Sequence, residues 1–408
     1  MDKKIKIVVI GGGFGGLYTA KKLAARIKCS PEIILIDKRN YFLFTPLLHE
    51  VASSTISEKV PVESLVALLN KRDIIWKVGT VKEVNLNSKK VVTDLFVETF
   101  DYLVVATGTG QNTYGIQGVI EHTYPMKDLE QAILIKDKLI NNFEVANVTN
   151  DSSLKSKLLS IVIVGAGATG IELAGEIADF ASEACNKYYS NINRADVTLT
   201  LVNPTDKLLP RNNPKLSEWV SEYLLELGWC FKFGSISKVI QEKVLFEDES
   251  SLEGGLIIWT AGVKPNMLKF DKDLQLDNSG RILVQDTLQF IGYENVFGLG
   301  DVVNTKSGLP MLAQVAVQQA DLVAKNIVKL IDKKTKLSKF MFNNKGFLLS
   351  VGKWNAVGEV YGYPMKGKLV WILWHFVYFL KFISWNKKLK VAFDWLLNLF
   401  SYRDISKE

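Results

Sequence analysis

Residues 5–10 (Ile-Lys-Ile-Val-Val-Ile) run into Gly11-Gly12-Gly13-Phe14-Gly15-Gly16, and a helical pattern follows at once. This is the signature of a buried parallel strand, a tight turn and a helix start. Gly11 permits the turn, Gly13 lets the backbone approach a pyrophosphate, and Gly16 lets the helix pack close on the strand. The bare N–H groups at the helix start then face negative charge. A second β-rich run, 32–36, ends in Asp37, twenty-one residues after Gly16. A carboxylate there is placed to accept hydrogen bonds from an adenosine ribose. A tight turn without a ligand uses the same glycines, but the strand before and the helix after favour a dinucleotide.

The signal occurs twice. Gly165, Gly167 and Gly170 follow another apolar run and repeat Gly11, Gly13 and Gly16 at an offset of 154; Gly262 repeats Gly108 at the same offset. The fold class is therefore α/β, with two Rossmann-like dinucleotide-binding domains in one chain. Two such sites suggest one fixed and one exchanged dinucleotide. The expected layout is 1–112 for the first part of one domain, 113–262 for the other, 263–332 for the second part of the first, and a C-terminal region at 333–408. Within it we expect a short helix near 47–51, a helix over 60–70, strands over 74–97 and at 101–108, and a helix over 129–144. A surface loop is expected over 147–157. After Gly170 a long helix begins, with Glu172, Gly175 and Glu176 in its first turns. A strand near 295–301 ends in Gly300-Asp301, a helix spans 313–330, and 340–363 is strand-rich.

The chain has 408 residues, 48% hydrophobic and 23% charged, enough for two or three domains with ample core. Of the net charge of +7, five sit in 364–408, which holds eight Lys/Arg against three Asp/Glu. No basic face interleaved with stacking aromatics occurs elsewhere, so no nucleic-acid module is expected. Cys29, Cys185 and Cys230 form neither CxxC nor a metal cluster, and His49, His122 and His375 are the only histidines. No metal site is expected, and the sparse cysteines point to a reducing compartment. Residues 1–4 lead straight into the first strand, so no signal peptide is expected.

Several segments together resemble a family. They are Phe44-Thr45-Pro46-Leu47-Leu48-His49-Glu50, Thr169-Gly170-Ile171-Glu172-Leu173-Ala174-Gly175-Glu176, Gly298-Leu299-Gly300-Asp301 and Ala313-Gln314-x-Ala316-x-Gln318. With the two glycine turns, Ala106-Thr107-Gly108 and the basic aromatic tail, the chain resembles the type II NADH dehydrogenases over essentially its full length. These are non-proton-pumping NADH:quinone oxidoreductases among the two-dinucleotide-domain flavoprotein reductases. The resemblance implies tightly bound FAD on the first site, touching Gly11, Gly13, Phe14, Gly15, Gly16, Asp37, Lys38, Thr45, Ala106, Thr107, Gly108, Gly300, Asp301, Ala313 and Gln314. It implies NADH on the second, touching Gly165, Gly167, Thr169, Gly170, Glu172, Asn203, Ala261 and Gly262. It further implies that Asp301 holds the ribityl or phosphate region of FAD. Gln314 and Gln318 would lie at the quinone end, and Glu172 near flavin and nicotinamide.

The residues bear on these assignments independently. A helix starting at Ala313, just after the Asp301 loop, aims its positive end where a reduced flavin carries negative charge. Gln314 and Gln318 share one helix face amid apolar neighbours, which makes them either a polar pair at a buried site or ordinary surface. Glu172 and Glu176 serve catalysis or merely compensate the helix dipole. The strand 197–202 stops at Asn203 where an acid would repel a 2′-phosphate, so NADH is expected and NADPH tolerance stays open. A disulfide reductase needs a cysteine pair in 41–50, which has none, and a sulfide:quinone reductase needs cysteines near the flavin. Two other readings remain: a reductase for another naphthoquinone-type acceptor, and a non-catalytic NAD(H)-sensing membrane flavoprotein. The mechanism expected is hydride in from NAD(P)H and two electrons with two protons out to quinone, with carboxylates such as Glu172 moving protons.

The tail reads as a membrane anchor that does not span. Residues 369–380 form an apolar run of only twelve, where crossing takes about twenty. As a helix, His375, Tyr378, Lys381 and Ser384 form a polar stripe, continued by Lys387, Lys390, Asp394, Asn398 and Ser401. Trp371, Trp374, Trp385 and Trp395 are expected at the lipid interface through 364–403, peripheral on the cytoplasmic face of a membrane. A pair of core helices or a homodimer contact would use the same stripe.

Overall fold

The structure, a computed structural model, describes residues 4–27, 31–70, 72–210 and 212–407. The chain divides into two compact units. The first comprises 1–43, 62–110 and 263–344; the second 44–61, 111–262 and 345–408. Both are α/β, as the repeated glycine signal requires.

In the first unit a parallel five-stranded sheet runs in the order Val296–Gly298, Tyr102–Val105, Lys6–Ile10, Glu32–Asp37, Ile74–Val78. Its central strand is buried on both faces, which is why it reads as unbroken Val and Ile. The helices Phe14–Arg26 and Ala313–Ile331 pack against each other. Arg26 ties the pair by donating to the Asp321 carbonyl and carboxylate, each at 2.8 Å.

The second unit repeats the plan. Its parallel sheet runs Tyr124–Pro125, Leu256–Trp259, Ser160–Val164, Thr198–Asn203, Trp229–Phe233. The repetition extends past the glycines. In the first unit Val81–Asn85, Lys90–Thr93 and Val97–Thr99 form an antiparallel meander. In the second Ile236–Ile240, Lys243–Phe246 and Ser251–Glu253 form its counterpart. Each carries an irregularity at its start, between Val81 and Glu83 and between Ile236 and Lys238. The second unit then adds an antiparallel sheet of Phe347–Ser350, Ala356–Val360 and Tyr363–Lys366, and two helices, Lys368–Lys381 and Trp385–Phe400.

Three local expectations need correction. Residues 60–70 are not one helix: Val62–Ser64 pairs antiparallel with Tyr41–Leu43, and only Leu65–Leu69 is helical. Strand pairing overrides helix propensity there. Residues 147–157 are not all loop, because Asp151 accepts from the N–H groups of Ser153 and Leu154 and starts the helix Ser152–Leu158. A Ser-rich stretch after an Asp is as much an N-cap as a turn. The helix expected to end at 144 continues as Leu129–Val148.

That helix opens with a complete capping box: the Asp128 side chain accepts from the Gln131 N–H, and the Gln131 side chain accepts from the Asp128 N–H. Removing the cap in Asp128→Ala should cost about 1 kcal/mol. In a unit of this size that lowers the thermal midpoint by about 2–4 °C. A thermal scan of the purified protein checks it, and an unchanged midpoint would show that the helix is fixed by packing alone.

Candidate functional site

The turn at 11–16 is built as its glycines demand. Gly11 has φ +102°, and a Cβ there would meet the Ala106 carbonyl oxygen at 2.3 Å. A Cβ on Gly16 would lie 1.9 Å from the Gly11 carbonyl oxygen, and one on Gly15 would strike Leu299. Gly13 is different, since nothing lies within 4 Å of its Cβ position. No side chain caps the helix that follows. Asp37, at the end of the second strand, accepts from the Gly12 N–H at 2.6 Å and from the Arg39 N–H at 2.8 Å. Lys38 beside it is exposed. Thr107 donates to the Asn266 carbonyl at 2.7 Å, and Gly108 takes φ +65°. Thr109 donates to Asp301 at 3.4 Å. Gly300, at φ +75°, donates its N–H to Gln319 at 2.6 Å.

The second unit reproduces this geometry. Gly165 has φ +111°, a Cβ on Gly170 would lie 1.9 Å from the Gly165 carbonyl oxygen, and Gly167 has open space. The stretch Gly167–Thr169 is exposed, and no side chain caps the helix Ala168–Lys187. Gly165 sits against Ala261, and Gly262 takes φ +67° as Gly108 does. Asn203 stands where Asp37 stands in the first unit: its Oδ1 accepts from the Ala166 N–H at 3.3 Å. Its amide is held by the carbonyls of Thr205, at 2.8 Å, and Lys207. An open glycine and an uncapped helix N-terminus supply the clearance and donors a diphosphate needs, so both turns fit a dinucleotide.

Behind the second turn lies a cluster that the sequence only hinted at. Glu172 and Glu176 are not in the first turn of their helix, and both are buried. Dipole compensation therefore does not explain them. His49 and Glu50, from the short helix Leu48–Ala52, are buried with them. The His49 Nδ1 lies 3.9 Å from Glu172 Oε2, and its Nε2 is 3.2 Å from Ser350 Oγ. Trp395 donates its indole N–H to Glu50 at 3.1 Å. Arg403, near the end of the chain, pairs with Glu176 at 3.1 Å and Glu183 at 3.0 Å. Ser53 also donates to Glu176, at 3.1 Å.

Burial sets the charges here. It pushes Glu172 well above the ordinary carboxylate range, and the neighbouring Glu50 adds to the effect. Glu50 is pushed up to about 8 by burial and by Glu176, against the Trp395 hydrogen bond. Burial works against Glu176 as well, but the Arg403 guanidinium and the Thr55 hydroxyl outweigh it and hold Glu176 below its ordinary value. His49 is lowered to about 4 by burial and His375 likewise, so both rings are neutral at neutral pH.

The remaining expected residues fall as follows. Thr45 is exposed, opening the turn Thr45–Leu47 in the second unit. Ala313 begins its helix after an uncapped Leu312. Gln314 and Gln318 are half-buried rather than placed at a buried site. Gln318 binds both the carbonyl and the N–H of Asn343, at 2.9 and 3.0 Å, and Gln314 lies 3.5 Å from Asn344. The buried glutamine is Gln319, whose Nε2 has no protein partner. Cys185 is half-buried and Cys230 exposed, both free; Cys29 lies outside the described residues. Among the described residues no group of His, Cys, Asp and Glu is arranged to hold a metal.

Both tail helices turn part of their polar stripe inward, while Lys381, Lys390 and Ser401 are exposed. Asn398 binds the Thr55 carbonyl, Lys387 the Lys59 carbonyl, and His375 the Trp371 carbonyl. Trp374 is fully buried and Trp395 is tied to Glu50, so these two are not interfacial tryptophans. The outward faces are apolar: Leu369, Ile372, Phe376 and Leu380 on one helix, Trp385, Leu389, Phe393, Leu396 and Phe400 on the other. Trp385 is 72% exposed and Phe400 86%. Among the described residues no helix is long and apolar enough to cross a membrane.

Glu50 gives a pH test. Its native proton is held to about 8 while an unfolded glutamate loses it near its ordinary value of 4.5. Between those limits the native state binds more protons than the unfolded state, so this group lowers stability as pH rises. The ceiling is about 1.4 kcal/mol per pH unit. Glu50→Gln keeps the acceptor for Trp395 and removes the titration. Its thermal midpoint should exceed that of the wild type at pH 8 and converge with it near pH 5. A constant difference across that range would show that Glu50 does not carry the linkage.

Residues 5–320 match the family model described as pyridine nucleotide-disulphide oxidoreductase, and 344–404 match the NDH2 C-terminal domain. The type II NADH:quinone oxidoreductase of Staphylococcus epidermidis is 34% identical, covering 90% of this chain and 92% of that protein. The type II NADH:quinone oxidoreductase Ndh of Mycobacterium tuberculosis is 29% identical, covering 98% and 89%. The fold matches NDH2 from Plasmodium falciparum, solved in complex with NADH, with a TM-score of 0.90 at 22% identity over 99% of this chain and 100% of that one. The chain belongs to the pyridine nucleotide-disulphide oxidoreductase family and, within it, to the type II NADH:quinone oxidoreductases, FAD-dependent enzymes that pass two electrons from NADH to a quinone.

Proposed function

We propose that FAD lies on the turn at 11–16 and NADH on the turn at 165–170, and that the tail holds the enzyme at a membrane from which quinone enters. The observation that carries this reading is the pairing of two open, uncapped glycine turns in one chain with an outward apolar face on both tail helices. Asp37 faces the ribose of FAD with the lone pairs left over from the Gly12 and Arg39 N–H groups. Thr107, Gly108, Gly300 and Asp301 complete that cradle. When bound, FAD supplies the two-electron store between a hydride donor and a quinone. Burial and the neighbouring Glu50 push Glu172 toward its protonated form, which suits proton delivery to an acceptor beside it. Gln314 and Gln318 act at the quinone end by fixing the backbone at 343–344.

Asn203 ties its glycine turn without adding a negative charge, so NADPH is tolerated beside NADH. The tail lies in the headgroup plane of the cytoplasmic face, with the exposed Lys368 and Lys381 available to anionic headgroups. In this reading electron transfer moves no proton across the bilayer. Two copies of the chain form the assembly, with part of the tail surface shared between them.

Because Tyr363–Lys366 belongs to a sheet and Arg403 to the buried cluster, deleting the tail would damage the fold. Charge on its outward face is the cleaner test. The double variant Leu389→Glu, Phe393→Glu should lose co-sedimentation with anionic vesicles by about tenfold or more, since each site removes apolar burial and adds repulsion. Flavin content, reduction by NADH and turnover with a water-soluble quinone should persist. Vesicle binding equal to wild type would refute the anchor. A fully FAD-loaded protein that NADH does not reduce would refute the placement of the two nucleotides.

A further inference from the structure

The overall reaction leaves one proton to be found. NADH gives up a hydride, which is two electrons and one proton; the quinone becomes a hydroquinone with two electrons and two protons. The second proton comes from the medium on every turnover.

We propose that this proton enters a cavity beneath the tail helices, whose wall carries several polar side chains, and reaches Glu172 through Ser350 and His49. The inference rests on the reading of Glu172 as the acid at the reacting centre. The cavity is lined by Glu50, Ser350, Trp371, His375, Trp395 and Arg403, all in the second unit. Glu50, Ser350, His375 and Arg403 give a water there the polar partners it needs. Ser350 is buried but lines the cavity, and its Oγ lies 3.2 Å from His49 Nε2. On the far side of the same ring, Nδ1 lies 3.9 Å from Glu172 Oε2. An imidazole is the side chain that takes a proton on one nitrogen and releases another from the opposite one.

The tautomer runs in the required direction. The carbonyl of Pro46, which only accepts, is hydrogen-bonded to the ring. With Ser350 on Nε2, this assigns the ring hydrogen to Nδ1. Ser350 therefore donates to a bare Nε2. In the transfer, the Ser350 hydroxyl proton passes to Nε2 while the hydroxyl takes one from the cavity. The Nδ1 proton passes to Glu172 as that carboxyl yields its own to the quinone. One proton moves inward and no heavy-atom bond breaks; the ring ends with its hydrogen on Nε2, and loss of that hydrogen toward the cavity with a water proton returned to Nδ1 restores the first tautomer between turnovers. The gap to Glu172 closes by a shift of about 1 Å to reach hydrogen-bond distance.

The surroundings suit a relay rather than a fixed ion pair. The groups that face His49 are Glu172 and Glu176 from the Ala168–Lys187 helix, Glu50 from its own helix and His375 from the first tail helix. Arg403 balances Glu176. Burial keeps His49 neutral, so the ring passes a proton instead of storing one. The sequence at 44–50 alone gave no role to this histidine.

The test uses full-length FAD-loaded enzyme, reduced by one equivalent of NADH and mixed with a water-soluble quinone in weak buffer. A pH-indicator dye reports proton uptake while absorbance reports reoxidation. His49→Gln keeps the polarity but cannot relay, and should slow proton uptake and reoxidation together by about tenfold or more. Ser350→Ala removes one oxygen and should slow both in the same way, by less. Reduction by NADH, which takes no proton from the medium, is the internal reference. Uptake at the wild-type rate in His49→Gln overturns the relay; if that variant does not retain FAD, Ser350→Ala decides by the same criterion. Glu172→Gln separates the two readings. Slow uptake in Glu172→Gln with normal uptake in His49→Gln overturns the relay and leaves Glu172 in place. Normal uptake in all three overturns both.

Discussion

Both halves of this enzyme depend on one close contact between backbone atoms. In each unit a helix approaches the strand before it so tightly that a Cβ on the third glycine would sit 1.9 Å from the carbonyl of the first. Backbone cannot yield to that as a flexible side chain can, so only glycine serves at Gly16 and Gly170. The contact fixes where the helix begins. It leaves the first N–H groups bare at the end of a parallel sheet, beside a glycine with open space. A phosphate site is the direct consequence of that packing. A side-chain oxygen accepting from the turn's backbone N–H, from Asp37 in one unit and Asn203 in the other, repeats the same plan.

A second constraint governs the buried acids. Three glutamates and a histidine are out of water in the second unit, and only one of the glutamates has a full counter-charge. Arg403 neutralises Glu176 and is itself held by Glu183 and Thr55. Breaking such a pair leaves an uncompensated buried charge, at about 3–5 kcal/mol. Glu50 avoids that cost by remaining protonated at neutral pH, and burial pushes Glu172 in the same direction. The last residues of the chain thus do electrostatic work for the helix that carries Glu172, while the tail helices turn polar groups to the body and apolar groups outward.

Much of this was legible in the sequence because it depends on local backbone. The glycine spacing, the apolar strand runs and the 154-residue offset carried the fold class and both turns. The length and stripe of the tail helices were legible for the same reason, since periodicity is local. What the sequence did not reveal depends on tertiary contact. Nothing near Arg403 announces that it will lie against Glu176, far upstream. Trp374 reads like its neighbours, yet packing alone makes it core. Gln319 follows Gln318 directly, and only the helix's orientation decides which is buried. The signal that was available lay in Glu172, Glu176, Asp179 and Glu183, spaced by four, three and four. That is one face of a helix crowded with acids, which calls for a cation from elsewhere.

In this reading the two glycine turns hold different nucleotides. Gly13 and Gly167 have room for a side chain, so a glutamate at either leaves the fold intact and opposes phosphate by charge. The direct measurement is flavin content followed by anaerobic titration with NADH for Gly13→Glu and Gly167→Glu. Gly13→Glu should be purified without FAD, and Gly167→Glu should keep a full complement of FAD that NADH reduces poorly. FAD lost only from Gly167→Glu, or NADH reduction unchanged in it, would contradict the account.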